Sequence, residues 1–176
     1  MSETNDSKDP IALGPHLVAS GGFERLYADG MGLIEEVAAY LDGVGREESR
    51  SLSREASFVY ATESMRLTTR LMQLASWLLL QRAVNEGEIT SEAARLEKQK
   101  VKFSPTPEER GGPGWEGLPK TLGNYIAKGD GLFERVQRFD RLERGFVEER
   151  AADTSNEGGI ADQLARLKAA FGELKR

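Results

Sequence analysis

The chain has 176 residues, of which 39% are hydrophobic and 30% charged, enough to build one hydrophobic core under a solvated surface. Its net charge of -5 disfavours nucleic acid as a partner, because phosphate binding draws on basic surfaces that release counterions. The absence of cysteine excludes disulfides and thiolate metal sites. No signal segment and no apolar run of the roughly 18 residues that span a bilayer is visible, so we expect a cytoplasmic protein without membrane insertion.

Residues 1–18 are polar and interrupted by prolines, so a flexible N-terminal arm is expected before a helical bundle domain at 19–150. The domain opens with apolar residues at steps of three and four, which is the spacing of one helix face. They are Phe23, Leu26, Tyr27, Leu33, Ile34, Val37, Ala38 and Leu41. This pattern predicts a first helix over about 20–42, which Asp42 and Gly43 end.

A second and longer helix is predicted over about 53–86, with Ser51 or Ser53 as its cap and Glu86 and Gly87 at its end. Its apolar residues fall on three sides of the helix. These are Tyr60, Leu67, Leu71, Leu74 and Leu78 on the first side, Met65, Met72 and Leu79 on the second, and Val59, Trp77 and Val84 on the third. A helix in a small monomeric bundle needs only one apolar face, so this helix is either central in the bundle or half of a dimer interface.

We prefer the homodimer, with Met65, Met72 and Leu79 as its interface, because monomers seldom expose an apolar stripe of this size. The alternative is a monomer in which the first and third helices cover all three apolar sides of the second helix. The sequence alone leaves both interpretations open.

After the second helix, Thr90 or Ser91 can start a short helix through Gln99. Proline and glycine interrupt the segment 103–118, which is expected to be a mobile loop that is dispensable for folding. A third long helix is predicted over 119–149, with a kink expected at residues 129–131. Its apolar residues are Leu122, Ile126, Leu132, Val136, Phe139 and Phe146. Three long helices without a strand pattern predict an all-α fold, a three-helix bundle with flexible arms.

The last 26 residues, 151–176, consist of a polar linker and a short amphipathic segment. Its apolar residues repeat at steps of four, three, four and three, as in a coiled coil. They are Ile160, Leu164, Leu167, Phe171 and Leu174. A helix of about fifteen residues is marginal alone in water, so this segment needs a surface to become ordered. It either docks on a partner protein as a helix in a groove or folds back on its own bundle.

No constellation for catalysis, cofactor binding or metal binding is found. The single histidine, His16, lies in the N-terminal arm without a partner that would hold a metal or a catalytic triad. The glycines at 112, 114 and 117 match a dinucleotide-binding pattern, but no strand precedes them. Glu35, Glu36 and Glu63 lack the Glu-x-x-His pairing of dimetal bundles. Glu63, Arg66 and Arg70 could form a recognition patch, although an ion-paired helix face is the simpler interpretation.

Two long blocks of sequence resemble the RcdA family. They are residues 35–48 (EEVAAYLDGVGREE) and residues 60–88 (YATESMRLTTRLMQLASWLLLQRAVNEGE), within a resemblance that extends from about Phe23 to Glu149. The family is named for regulating the degradation of the cell-cycle regulator CtrA in alphaproteobacteria. Its members are small dimeric three-helix adaptors of the ClpXP protease, with a flexible C-terminal arm and a tendency to gather at a cell pole.

The resemblance implies an adaptor without catalytic residues or cofactors. Such an adaptor would bind a ClpXP protease primed by a response-regulator-like adaptor, and it would tether protein cargo such as transcription regulators. It assigns no contact to any single residue of this chain. The alternative function is a dimeric helical scaffold or localisation factor that acts without a protease.

Overall fold

The computed structural model of the protein describes residues 21–107 and 110–145. All regular structure in these two ranges is helical, which confirms the prediction of an all-α fold. The helices are α1 (Gly22–Asp42), α2 (Val44–Ser49), α3 (Arg54–Asn85), α4 (Ser91–Lys100), α5 (Pro113–Glu116) and α6 (120–145). Residues 21–137 form one compact unit, and residues 138–145 at the end of α6 belong to a second unit.

The long central helix α3 has defined ends. The Ser53 hydroxyl accepts a hydrogen bond from the backbone N–H of Ala56 at 3.2 Å, which satisfies one of the free N–H groups of the first turn. At the other end Gly87 has a φ of 75°, a left-handed conformation that glycine adopts without strain. The next helix, α4, is capped in the same way, because the Thr90 hydroxyl accepts from the N–H of Ala93 at 3.1 Å.

The core of the larger unit lies between the three long helices, and α3 also packs against α4 and α5. Its fully buried large side chains include Trp77, Leu74 and Leu78 of α3, together with Phe23 of α1 and Leu122 and Val136 of α6. Burying a side chain of this size stabilises the fold by about 1.5–3 kcal/mol. The buried residues of α3 all lie on one side of the helix, and its opposite side faces solvent.

Two glycines allow the long helices to approach closely. Gly30 of α1 faces Leu78 of α3 with no room for a side chain. A methyl group on Gly129 of α6 would lie 3.0 Å from Leu67 Cδ1. Residues 129–131, where a kink was expected, are helical in α6. A side chain at Gly129 would therefore be tightly packed against Leu67 of α3.

The segment 103–118, which its proline and glycine content predicts to be a mobile loop, makes packed contacts at several of its described residues, 103–107 and 110–118. Its mobility stays a prediction. The short helix α5 lies within it and packs on α3. A Cβ on Gly117, directly after α5, would lie only 2.9 Å from the Ala56 Cβ of α3. Upstream, the rings of Phe103 and Phe133 meet edge to face with centroids 4.7 Å apart. Contacts made by a few well-placed side chains therefore decide the conformation of this segment, which its composition alone does not show.

In the second unit, residues 138–145 form the last two turns of α6 that the structure describes. Arg144 Nη2 lies 2.8 Å from Asp140 Oδ2, an ion pair across one helical turn. Leu142 is exposed on the same segment.

Candidate interaction surface

The outward side of α3 carries a row of large apolar side chains at intervals of seven residues, which we call the α3 stripe. It consists of Phe58, Met65, Met72 and Leu79, which are 74%, 68%, 66% and 50% exposed. An interval of seven residues is close to two helical turns, so these four side chains share one face. Isolated exposed apolar residues are common on proteins, but a continuous row of them marks a binding surface.

The α3 stripe contains the three residues that the sequence predicts for a dimer interface, and all three are exposed. The first and third long helices therefore do not cover Met65, Met72 and Leu79, although they do bury Leu67, Leu71, Leu74 and Leu78. Sequence reasoning missed Phe58. Its position seven residues before Met65 was the available signal.

Short hydroxyl side chains flank the α3 stripe, and each donates a hydrogen bond back to its own helix. Thr62, Thr68, Thr69 and Ser76 donate to the carbonyl oxygens four residues earlier, over 2.8–3.0 Å. The single hydroxyl proton of each is thus used within α3, and only the oxygen lone pairs face outward. The side chains that flank the stripe are consequently short and partly apolar, which permits close approach by another helix.

Charged residues lie at the two ends of the α3 stripe. Arg54 is exposed one turn before Phe58. At the other end, Arg82 Nε lies 2.7 Å from Glu86 Oε1, and both side chains are 47% exposed. The Arg82 guanidinium also lies over the Tyr27 ring of α1, 4.9 Å from its centroid. The apolar row therefore ends in a basic residue on one side and in an ion pair on the other.

On the far side of α3, a cluster of buried charges joins three parts of the chain. Glu63 and Arg70 lie on α3, Arg110 precedes α5, and Asp130 lies on α6. Asp130 pairs with both Arg70 and Arg110, and Arg110 Nε lies 3.6 Å from Glu63 Oε2. Glu63 also pairs with Arg66. Because the Arg70 and Glu63 side chains are 6% and 7% exposed, these charges are withdrawn from solvent and must be paired.

Hydrogen bonds attach the segment before Arg110 to α3 as well. Gln73 donates from Nε2 to the Ser104 hydroxyl and accepts from the Ser104 backbone N–H, both at 2.9 Å. Arg70 Nη2 donates to the Thr106 hydroxyl at 2.9 Å. The guanidinium of Arg70 also lies over the Phe133 ring, 4.3 Å from its centroid. We interpret the charge cluster and these bonds as a clamp on segment 103–112, not as the recognition patch considered for Glu63, Arg66 and Arg70.

Other predicted features fall outside the described residues. The five apolar residues of the C-terminal arm, Ile160, Leu164, Leu167, Phe171 and Leu174, lie there, as does His16. In residues 21–107 and 110–145, no three histidine, cysteine, aspartate or glutamate side chains come together as metal ligands would. In the same ranges, no helix combines the length and the apolar character needed to cross a membrane.

Comparison with known proteins gives one family model and one informative solved structure. The family model described as "Protein of unknown function (DUF1465)" matches residues 14–171. The crystal structure of RcdA from Caulobacter crescentus CB15 is 52% identical in sequence, with a TM-score of 0.57. That match covers 69% of this chain and 90% of the RcdA chain. None of the curated proteins matches.

Proposed function

Because the chain belongs to the RcdA family, we propose that it is a non-catalytic adaptor of the ClpXP protease. In this role it tethers protein cargo, such as cell-cycle transcription regulators, to a protease primed by a response-regulator-like adaptor. The observation that carries the proposal is the 52% identity with RcdA over 90% of that chain. The exposed α3 stripe supports it, because an adaptor acts through surfaces that bind other proteins.

An adaptor of this kind needs no chemistry of its own. Tethering raises the local concentration of cargo at the protease, to the order of millimolar for a short linker. The apparent KM for cargo then falls while each separate contact stays weak and reversible. A location in the cytoplasm, with concentration at a cell pole, belongs to the same proposal.

We further propose that the adaptor is a homodimer through the α3 stripe. Met65, Met72 and Leu79 are at least half exposed, so association would remove a large apolar row from water. The double substitution Met72→Glu with Leu79→Glu should reduce the mass measured by light scattering to that of the monomer. The control is Leu96→Glu, since Leu96 is 50% exposed on α4, outside the stripe. A double variant that stays folded at an unchanged mass would place the dimer interface elsewhere.

The C-terminal arm is proposed to dock on a partner protein through Leu167 and Phe171 and their apolar neighbours. A chain truncated after Arg150 should then melt at nearly the same temperature and remain dimeric, yet fail to stimulate degradation of cargo. Leu167→Asp with Phe171→Asp should give the same failure in the full-length chain, because it removes the apolar stripe and keeps the linker. A large fall in melting temperature on truncation would instead make the arm part of the core.

The adaptor role is tested in a reconstituted degradation assay. The assay contains ClpXP, its priming adaptor and a labelled cargo protein, with and without this chain. We expect the chain to lower the KM for cargo and to leave the rate at saturating cargo nearly unchanged. An absence of stimulation, together with partner capture in a pull-down, would favour the scaffold that acts without a protease.

A further inference from the structure

A groove lies between α1 and α6 on the larger unit, and none of its lining residues belongs to α3. These residues fall within 28–36 of α1 and 127–135 of α6, and we call the depression the α1–α6 groove. It has a volume of about 570 Å³, with the buried Leu33 and Leu132 at its base. A Cβ at Gly32 or at Gly131 would meet no heavy atom within 4 Å. The centre of the groove is therefore open to a side chain from elsewhere.

Two ion pairs cross the α1–α6 groove at an interval of seven residues. Asp29 Oδ2 lies 2.8 Å from Arg135 Nη1, and the four side chains involved are about half exposed. In the second pair, Glu36 Oε2 lies 3.4 Å from Lys128 Nζ. The order of these contacts shows that α1 and α6 run antiparallel. The α1 side of the groove is consequently acidic and its α6 side basic.

The C-terminal arm, which lies outside the described residues, has a sequence that fits this groove. Its five apolar residues occupy the a and d positions of a heptad pattern. Lys168 and Lys175 follow on one flank, at the e positions, with Phe171 between them on the apolar face. The opposite flank is uncharged, with Gln163 and Ala170 at the g positions. A helix formed by the arm would therefore be basic on one flank only, which suits a groove with a single acidic side.

The direction of the chain also fits. The structure describes α6 to residue 145, and the 14 residues 146–159 precede the apolar part of the arm. An extended chain spans about 3.3–3.6 Å per residue, so this length is ample for a reversal of direction. A helix that returns along α6 runs antiparallel to it, and hence parallel to α1. With its apolar face in the groove, a right-handed helix in this direction has Lys168 and Lys175 beside α1.

We propose that the C-terminal arm docks as a helix in the α1–α6 groove of its own chain, with Phe171 over Gly32. The intervals in the two segments are equal, because Phe171 follows Lys168 by three residues and Gly32 follows Asp29 by three. This register places each lysine of the arm beside an acidic residue of α1, Lys168 beside Asp29 and Lys175 beside Glu36. The groove then receives an apolar side chain at its open centre and basic groups on its acidic side.

The docked arm regulates the adaptor, a consequence that rests on the arm's proposed binding to a partner protein. The same apolar face enters the groove and binds the partner, so an arm in the groove is withheld from the partner. The groove is open, and ion pairs at half-exposed positions contribute little to stability. Docking is therefore weak and reversible, and it adds little to the melting temperature.

Disulfide formation within the chain tests the register, because the chain has no cysteine of its own. Gly131→Cys with Ala170→Cys leaves every apolar residue and lysine of the arm in place. Under mild oxidation most chains should form the intramolecular disulfide, which gives a faster band of monomer mass on a non-reducing gel. The matched control is Gly131→Cys with Gln163→Cys, on the same flank but about 10 Å from the docked position. That distance exceeds the roughly 7 Å between Cα atoms that a disulfide can bridge. Equal crosslinking of the two pairs, or none in either, would overturn the docking.

Hydrogen exchange of the full-length chain tests the docking without crosslinks. Gly32→Leu fills the space proposed for Phe171, so the amides of the arm should exchange roughly tenfold faster. The control is Gly123→Leu, because Gly123 of α6 also has open space around it and does not line the groove. Circular dichroism shows whether both variants remain folded. Unchanged exchange of the arm in folded Gly32→Leu would contradict the docking.

The degradation assay separates this regulation from the proposed adaptor role. The oxidised variant with Gly131→Cys and Ala170→Cys should lose most of its stimulation of cargo degradation and regain it after reduction. A crosslinked chain that stimulates as well as the reduced one would overturn the regulation. If the unaltered protein also fails to stimulate, the adaptor role is overturned, and the crosslinking result still decides whether the arm docks in the groove.

Discussion

Removal of the Asp130 carboxylate should destabilise the fold more than any other single change to an ion pair between the described helices. Asp130 lies on α6 and is the shared acidic partner of Arg70 and Arg110. In Asp130→Ala, Arg110 keeps Glu63 at 3.6 Å. Arg70 keeps the neutral Thr106 hydroxyl and the Phe133 ring. A guanidinium that is 6% exposed would therefore lose its direct counter-charge.

The magnitude follows from burial. Breaking a buried ion pair by removing one partner costs about 3–5 kcal/mol. The Asp130 side chain is 21% exposed, so some water already reaches the pair and lowers this cost. We expect a loss of about 2–4 kcal/mol in the free energy of unfolding. For a unit of this size, that loss lowers the melting temperature by roughly 8–16 °C.

The measurement is urea and thermal denaturation followed by circular dichroism. The matched control is Asp29→Ala, because Asp29 of α1 pairs with Arg135 of α6 at 2.8 Å with both side chains nearly half exposed. An exposed pair contributes less than about 1 kcal/mol, so the control should melt near the unaltered protein. Trypsin should also cut after Arg110 faster in Asp130→Ala, since the clamp on segment 103–112 is weakened. Equal stability losses for the two variants would refute the reasoning.

Three other substitutions give opposite or pH-dependent results. Gly30→Ala should destabilise the fold by about 1–3 kcal/mol through overpacking against Leu78, whereas Gly32→Ala, on the same helix with open space around it, should stabilise it by about 0.5–1 kcal/mol in urea denaturation. Burial and a hydrogen bond from the Tyr40 hydroxyl to Glu48 at 2.7 Å raise the pKa of Tyr40 above its ordinary value of about 10. The unfolded chain therefore ionises first, so the stability from this group is complete below about pH 10 and falls as the pH rises further. Tyr40→Phe should make the urea midpoint fall less steeply above pH 10, and an unchanged slope would contradict the shift.

The all-α fold could be predicted from the sequence because apolar residues recur at helical spacing in long stretches. The same spacing separates the buried side of α3, with Leu74 and Leu78, from its exposed side, with Met65 and Met72. The periodicity predicts these two sides because the helical repeat alone decides which residues share a face, independently of the neighbouring helices.

The clamp on segment 103–112 could not be predicted in the same way. Arg70 and Asp130 are 60 residues apart, and Gln73 and Ser104 are 31 apart. No local pattern brings such residues together, because their contact depends on how the helices pack. Proline and glycine in this segment were interpreted as signs of mobility. The same residues also form the turns that a fixed segment needs. Phe58 was missed for a different reason, because it belongs to the α3 stripe only through its interval of seven residues from Met65.

The hydroxyls beside the α3 stripe, which donate to their own helix, affect how association through this surface depends on temperature. Because Thr62, Thr68, Thr69 and Ser76 donate to their own helix, the α3 stripe meets water mainly through its four large apolar side chains and offers no free hydroxyl proton from these residues. Attraction between such surfaces is almost entirely entropic near 25 °C and weakens on cooling. Association through the stripe should therefore release little heat at room temperature, show a negative heat-capacity change in calorimetry, and loosen as the cell cools.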